Sequence, residues 1–185
     1  MERESPGTLR ASVGRISIEH VAAALRKVQS MDLSQKVTLI DELYIKQPNL
    51  LASCVVQAKF GADEHTVEFL INLLLVCYLA MNESGYEWPL ISEDAQELQM
   101  GRMVGAVRFS EDLIDPAAAE AARGQYVASH PEQPLLALVV SQCKEWLRNR
   151  AHTLTEKESD KFVMMASMNM VNCIAHAAAQ CRRAS

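Results

Sequence analysis

Apolar residues recur along this chain in steps of three and four, and nowhere alternate long enough to make a convincing strand. Ser17 fits the N-cap of a first helix over about 18–30, with Ile18, Val21, Ala22 and Leu25 on one face. A second helix starts near Ser34. Its pattern predicts a buried stripe of Val37, Ile40, Leu43 and Tyr44, with Asp41 and Glu42 facing water. Pro48 has no backbone donor and disfavours helical angles at Gln47, so that helix ends there and a third begins, over about 48–60. Gly61 suits its C-terminal cap.

Asp63 caps a fourth helix running to about Glu83, apolar on nearly every side from Val67 to Met81, as a central helix should be. The Gly- and Pro-bearing stretch 82–89 reads as a loop whose Trp88 folds back onto the core. Ser92 caps a fifth helix over about 93–110, where Gly101 and Gly105 share a face and suggest a close helix crossing. Asp115 and Pro116 open a sixth helix, and His130-Pro131 breaks it. A seventh covers about 132–151. Thr155 and Glu158 form a capping box for a last helix over about 156–182.

The reading is all-α: a single-domain bundle of about eight mostly antiparallel helices over 17–185, preceded by a flexible segment 1–16. One short stretch is written twice. Leu50–Lys59 and Leu135–Lys144 agree at six of ten positions, each copy follows Gln-Pro, and each feeds a long apolar helix. In a chain this rich in Leu, Ala and Val, on the order of 0.2 to 2 such matches arise by chance. Composition alone therefore accounts for the identity. The surviving expectation is that two helical pairs, 48–83 and 132–182, build the core together, whether or not they are related.

Composition narrows the function. With 185 residues, 49% apolar and 22% charged, the chain can bury one sizeable core. Net charge is −5, and the densest basic run, Lys144 to His152, is interrupted by Glu145; nucleic-acid binding is not expected. The five cysteines show no CxxC spacing, and four sit among apolar residues, as buried thiols in a reducing compartment do. The segments 69–82 and 162–181 lack formal charge. The first is short for a span and the second carries Asn, His and Gln, so no membrane segment is expected. No secretory h-region is visible at the N-terminus, and the expected location is cytoplasmic.

Phosphate-loop, dinucleotide, nucleophile-elbow and zinc-protease signatures are absent, so no catalytic residue, cofactor or metal is assigned. Glu64, His65, Glu68 and Asn72 share a helix side, which reads as a solvated first turn rather than a metal site. The Met-rich set around Met164–Met170 reads first as core filling. The sharpest oddity is a polar line on the last helix: Asn169, Asn172, His176 and Gln180 among Met, Val, Ile and Ala. The ordinary amphipathic reading makes it the exposed face. The alternatives are a buried network that fixes helix pairing and a ligand pocket.

The expected function is a non-catalytic regulatory or adaptor protein acting by protein–protein interaction or self-association. The alternative is a small-molecule-binding bundle, with a pocket between the fourth and last helices lined by Asn72, Asn169, Asn172 and His176.

Overall fold

A computed structural model of the chain describes residues 14–111, 115–149 and 156–183. Eight helices lie among them: α1 Ile18–Ser30, α2 Leu33–Lys46, α3 Pro48–Val55, α4 Glu64–Glu83, α5 Glu93–Glu111, α6 Pro116–Ser129, α7 Gln133–Arg148 and α8 Glu156–Ala178. The fold is an all-α bundle.

The helix starts follow local chemistry. Ser17, Asp32, Asp63 and Asp115 each accept a backbone N–H of the following first turn. Ser17 with His20 and Asp32 with Gln35 close reciprocal capping pairs. The second helix thus starts one residue before Ser34, on the Asp32 cap. Thr155, the other half of the expected box on the last helix, lies outside the described residues.

Helix α4 is the centre. Residues 73–81 are buried without a break, and α1, α2, α3, α7 and α8 all pack on it. Among the described residues it is the one helix long and apolar enough to cross a membrane, yet 61% of its apolar window is buried inside the bundle. The second central helix is α8, flanked by α3, α4, α5 and α7. The two expected pairs, α3–α4 and α7–α8, therefore do share one core, and α4 touches both α7 and α8.

The repeated ten residues behave alike at first and then part. Leu50 and Leu135 are buried, Ala52 and Ala137 exposed, and Cys54 and Val139 buried. After Val55 the first copy tightens into a 3-10 turn over Val56–Phe60, whereas α7 continues to Arg148. The expected helix over 48–60 is thus two pieces. Gly61 ends the second at φ +91°, a left-handed angle that glycine adopts freely.

Three further expectations are corrected. The last helix stops at Ala178, and Arg182–Arg183 pair antiparallel with Tyr86–Glu87 in a two-residue ladder. Gly101 and Gly105 sit in no close crossing, since a Cβ built on either meets nothing within 4 Å. Within the segment read as flexible, residues 14–16 are docked. The buried Ile16 and its neighbour Arg15 donate their backbone N–H groups to Glu132, at 2.9 and 2.7 Å. Residues 1–13 lie outside the described residues. Trp88 does fold back: its indole N–H donates to the Met81 carbonyl at 2.9 Å.

Candidate functional site

The polar line of α8 is not the exposed face. Asn169 is only 7% exposed, and Asn172 and His176 are half-buried; Gln180 alone is open to solvent. The line turns toward α5 and α6, away from α4. There Asn172 and His176 line a cleft of about 390 Å³ with Gln99, Arg102 and Met103 of α5 and Tyr126 of α6.

Asn172 organises one wall. Its Oδ1 accepts from the Tyr126 hydroxyl at 2.6 Å and lies 3.2 Å from His130 Nε2. The tautomer of His130 follows from its other nitrogen. The Glu132 backbone N–H donates to Nδ1 at 3.2 Å, so Nδ1 is bare and the proton sits on Nε2, donating to Asn172. Burial holds His130 below its ordinary pKa and so favours this neutral form. Burial likewise raises the Tyr126 hydroxyl, which stays a donor.

The network continues beneath the cleft. The side chain of Glu132 is fully buried and spends both carboxylate oxygens on the amides of Arg15 and Ile16. Desolvation raises its pKa, partly offset by those two bonds. Arg15 in turn reaches the Ala178 carbonyl at 3.4 Å and stacks over the Tyr86 ring at 4.9 Å. The docked segment, the cleft wall and the β-ladder are therefore one connected polar unit.

Among the described residues, two buried polar atoms close to this wall have no partner: Gln99 Nε2 and Asn169 Oδ1. Asn169 does donate its Nδ2 to the Gln96 carbonyl at 3.2 Å, which ties α8 to α5.

Asn72 belongs to a different place. Its Oδ1 accepts from Lys36 Nζ at 2.9 Å, across α2 and α4. The four residues grouped from sequence are thus split: three turn toward α5, and Asn72 lies in a groove between α2 and α4. A second clasp joins the same two helices, where Tyr78 donates to Glu42 at 2.8 Å and Lys46 of α2 donates to the same carboxylate at 3.0 Å. Both clasps join residues 36 apart, so α2 and α4 run parallel here.

The groove encloses about 520 Å³ and is lined by Val37 and Ile40 of α2, Val67, Ile71 and Leu75 of α4, and Ala62. It exists because α2 has two apolar faces. Leu39 and Leu43 point inward, whereas Leu33, Val37 and Tyr44 are 79%, 49% and 65% exposed. The sequence expectation that Val37 and Tyr44 are buried is corrected: once Leu39 and Leu43 take the core, the other stripe faces out.

Other candidates stay modest. His65 and Glu68 are exposed and 3.9 Å apart. Among the described residues no group of three or more His, Cys, Asp or Glu gathers as a metal set. Desolvation pushes the Cys54 and Cys173 thiols up to about 12 and raises Cys77 further, so they are not nucleophiles.

Tyr126, His130, Glu132 and Gln99 were not singled out from sequence. His130 read only as a helix breaker beside Pro131, and Glu132 only marked the approximate start of the seventh helix. The single available hint was the four-residue step from Tyr126 to His130, which puts both on one side of a helix end. Comparison with protein families, with curated proteins and with solved structures finds no match.

Proposed function

We propose that this chain is a non-catalytic cytoplasmic adaptor or regulator that holds an amphipathic helix of a protein partner in the α2–α4 groove. The observation that supports this reading is the second apolar face of α2. Exposed apolar side chains in a row beside a concave apolar trough mark interaction sites. Val37 and Ile40 on α2 and Val67, Ile71 and Leu75 on α4 step by three and four along two parallel helices. That spacing suits anchors at i, i+3 or i+4, and i+7 on a third helix.

The two clasps support a preformed site. Lys36–Asn72 and Glu42–Tyr78 fix the helix separation before any partner arrives, which lowers the ordering cost of binding. Charge selects the partner. Glu64 and Glu68 outnumber Lys36 along the lining, and the whole chain carries −5. A helix flanked by Lys or Arg is favoured, and a second copy of this acidic chain is disfavoured.

Titration of the 15N-labelled protein with a designed helical peptide tests this. The peptide carries Leu at i, i+4 and i+7 and Lys on its flanks; a control carries Glu there. Burying three Leu side chains contributes about 4.5–9 kcal/mol and association costs at least about 4, so the dissociation constant is expected no tighter than about 0.2 mM. The Lys peptide should shift α2 and α4 resonances saturably, and Val37→Asp should weaken it by at least about tenfold. Equal binding of both peptides, shifts elsewhere, or a concentration-dependent dimer that Val37→Asp abolishes would overturn the proposal.

A further inference from the structure

The cleft between α5, α6 and α8 lies apart from the α2–α4 groove. The geometry points to it as a binding site for a small amphipathic carboxylate, with the anion held by Arg102 and Gln99 and the apolar body against Met103 and Ala175.

Four observations carry this. The volume of about 390 Å³ falls in the range of small-molecule pockets, roughly 300–1,000 Å³. Among the described residues no Asp or Glu lines the cleft, although the chain as a whole is acidic. Its polar lining is Gln99, Arg102, Tyr126, His130, Asn172 and His176. Finally, Gln99 lines the cleft at 8% exposure with its Nε2 unpaired.

The last point is the most specific. A buried amide donor without a partner is destabilising, so a folded chain retains one where something else accepts from it. Two other donors at the wall are already committed inward. Tyr126 and His130 both give their protons to Asn172 Oδ1. Among the described residues that leaves four groups free to meet a ligand: the Asn172 Nδ2 amide, the His176 ring, and, one turn apart on α5, Gln99 Nε2 and the exposed guanidinium of Arg102. A carboxylate matches the last two, because a guanidinium fork takes one carboxylate in a bidentate, charge-assisted pair and the Gln99 amide adds a third bond. A single guanidinium with neutral donors suits a monoanion better than a phosphate dianion, which draws several cations or a helix N-terminus.

Calorimetric and NMR titration with four probes tests the assignment: octanoate, 3-phenylpropanoate, and the carboxamide of each. At least one acid should bind saturably with a dissociation constant below about 1 mM, and its amide at least about tenfold more weakly. Arg102→Gln, on an exposed side chain, should erase that preference and leave the melting temperature unchanged. Gln99→Met should weaken the acid several-fold and yet raise the melting temperature of the free protein, because it removes an unpaired buried donor. A residue with a structural role alone would lower it. The proposal is overturned if none of the four probes binds saturably, if acid and amide bind alike, if Arg102→Gln binds like the parent, or if Gln99→Met lowers the melting temperature of the free protein.

Discussion

Replacing Glu132 separates a docked N-terminal segment from a merely adjacent one. Its carboxylate is fully buried and accepts two backbone bonds, at 2.7 Å from Arg15 and 2.9 Å from Ile16. Hydrogen bonds to a charged group contribute about 1.5–3 kcal/mol each. Burying the charge costs several kcal/mol in return. Glu132→Gln keeps the shape but offers one acceptor oxygen, and its NH2 faces the second amide donor to donor. One charge-assisted bond is lost and one buried N–H is orphaned, while the desolvation cost of the charge is recovered; the expected net loss is about 1–3 kcal/mol. Glu132→Ala removes both acceptors and frees the buried Ile16, whose burial contributes about 1.5–3 kcal/mol by itself, so the loss rises to about 3–5 kcal/mol. Urea denaturation at constant m measures the global change. Hydrogen exchange at the Arg15 and Ile16 amides reports the local one. If Glu132→Ala costs less than about 1 kcal/mol and both amides stay protected, the docking is not carried by this side chain.

Gly14→Ala should give the same phenotype, because its Cβ would meet the Pro131 carbonyl at 2.5 Å and Glu132 Oε2 at 2.9 Å; combined with Glu132→Ala it should add little, which a double-mutant cycle measures. His130 has its pKa depressed by burial, so below its ordinary 6.5 the unfolded chain takes up the proton first and stability falls with falling pH. Glu132 has the opposite sign: its raised pKa makes stability fall as pH rises from its ordinary 4.5 through the folded value, so His130→Gln should flatten the first slope and Glu132→Gln the second in denaturation series across pH. Native thiol titration should modify Cys181 first, since it is half-buried with its thiol near 11, and the four buried cysteines only after denaturant is added; rapid reaction of Cys77 would contradict its burial.

The architecture was legible because it rests on local signals. Caps at Ser17, Asp63, Ser92 and Asp115, the Pro48 break and the uncharged run of α4 each report a short-range event, and each lies where its residues indicate. What the sequence could not resolve was which of two apolar faces a helix turns inward. On α2, Leu39 and Leu43 compete with Leu33, Val37 and Tyr44, and both sets keep helical spacing. Only the packing of α2 on α4 decides between them. The polar line of α8 shows the same ambiguity from the other side. Three- and four-residue steps place Asn169, Asn172 and His176 together but are silent on what faces them. Their partners arrive from residues 96–130 and from Arg15 and Ile16 by way of Glu132, at sequence separations of 42 to 117. Asn72 was grouped with them because it too is polar on an apolar helix, yet Lys36 had already claimed it.

The reading of the α2–α4 groove as a docking site meets its most direct test in site-specific photo-crosslinking inside cells, with the reactive group at position 37 and a control at the exposed Ser141. The predicted result is an adduct at position 37 to a partner segment with apolar residues at helical spacing and Lys or Arg on its flanks, absent from the control. No adduct at position 37 above the control, or an adduct only to a second copy of this chain, would contradict it.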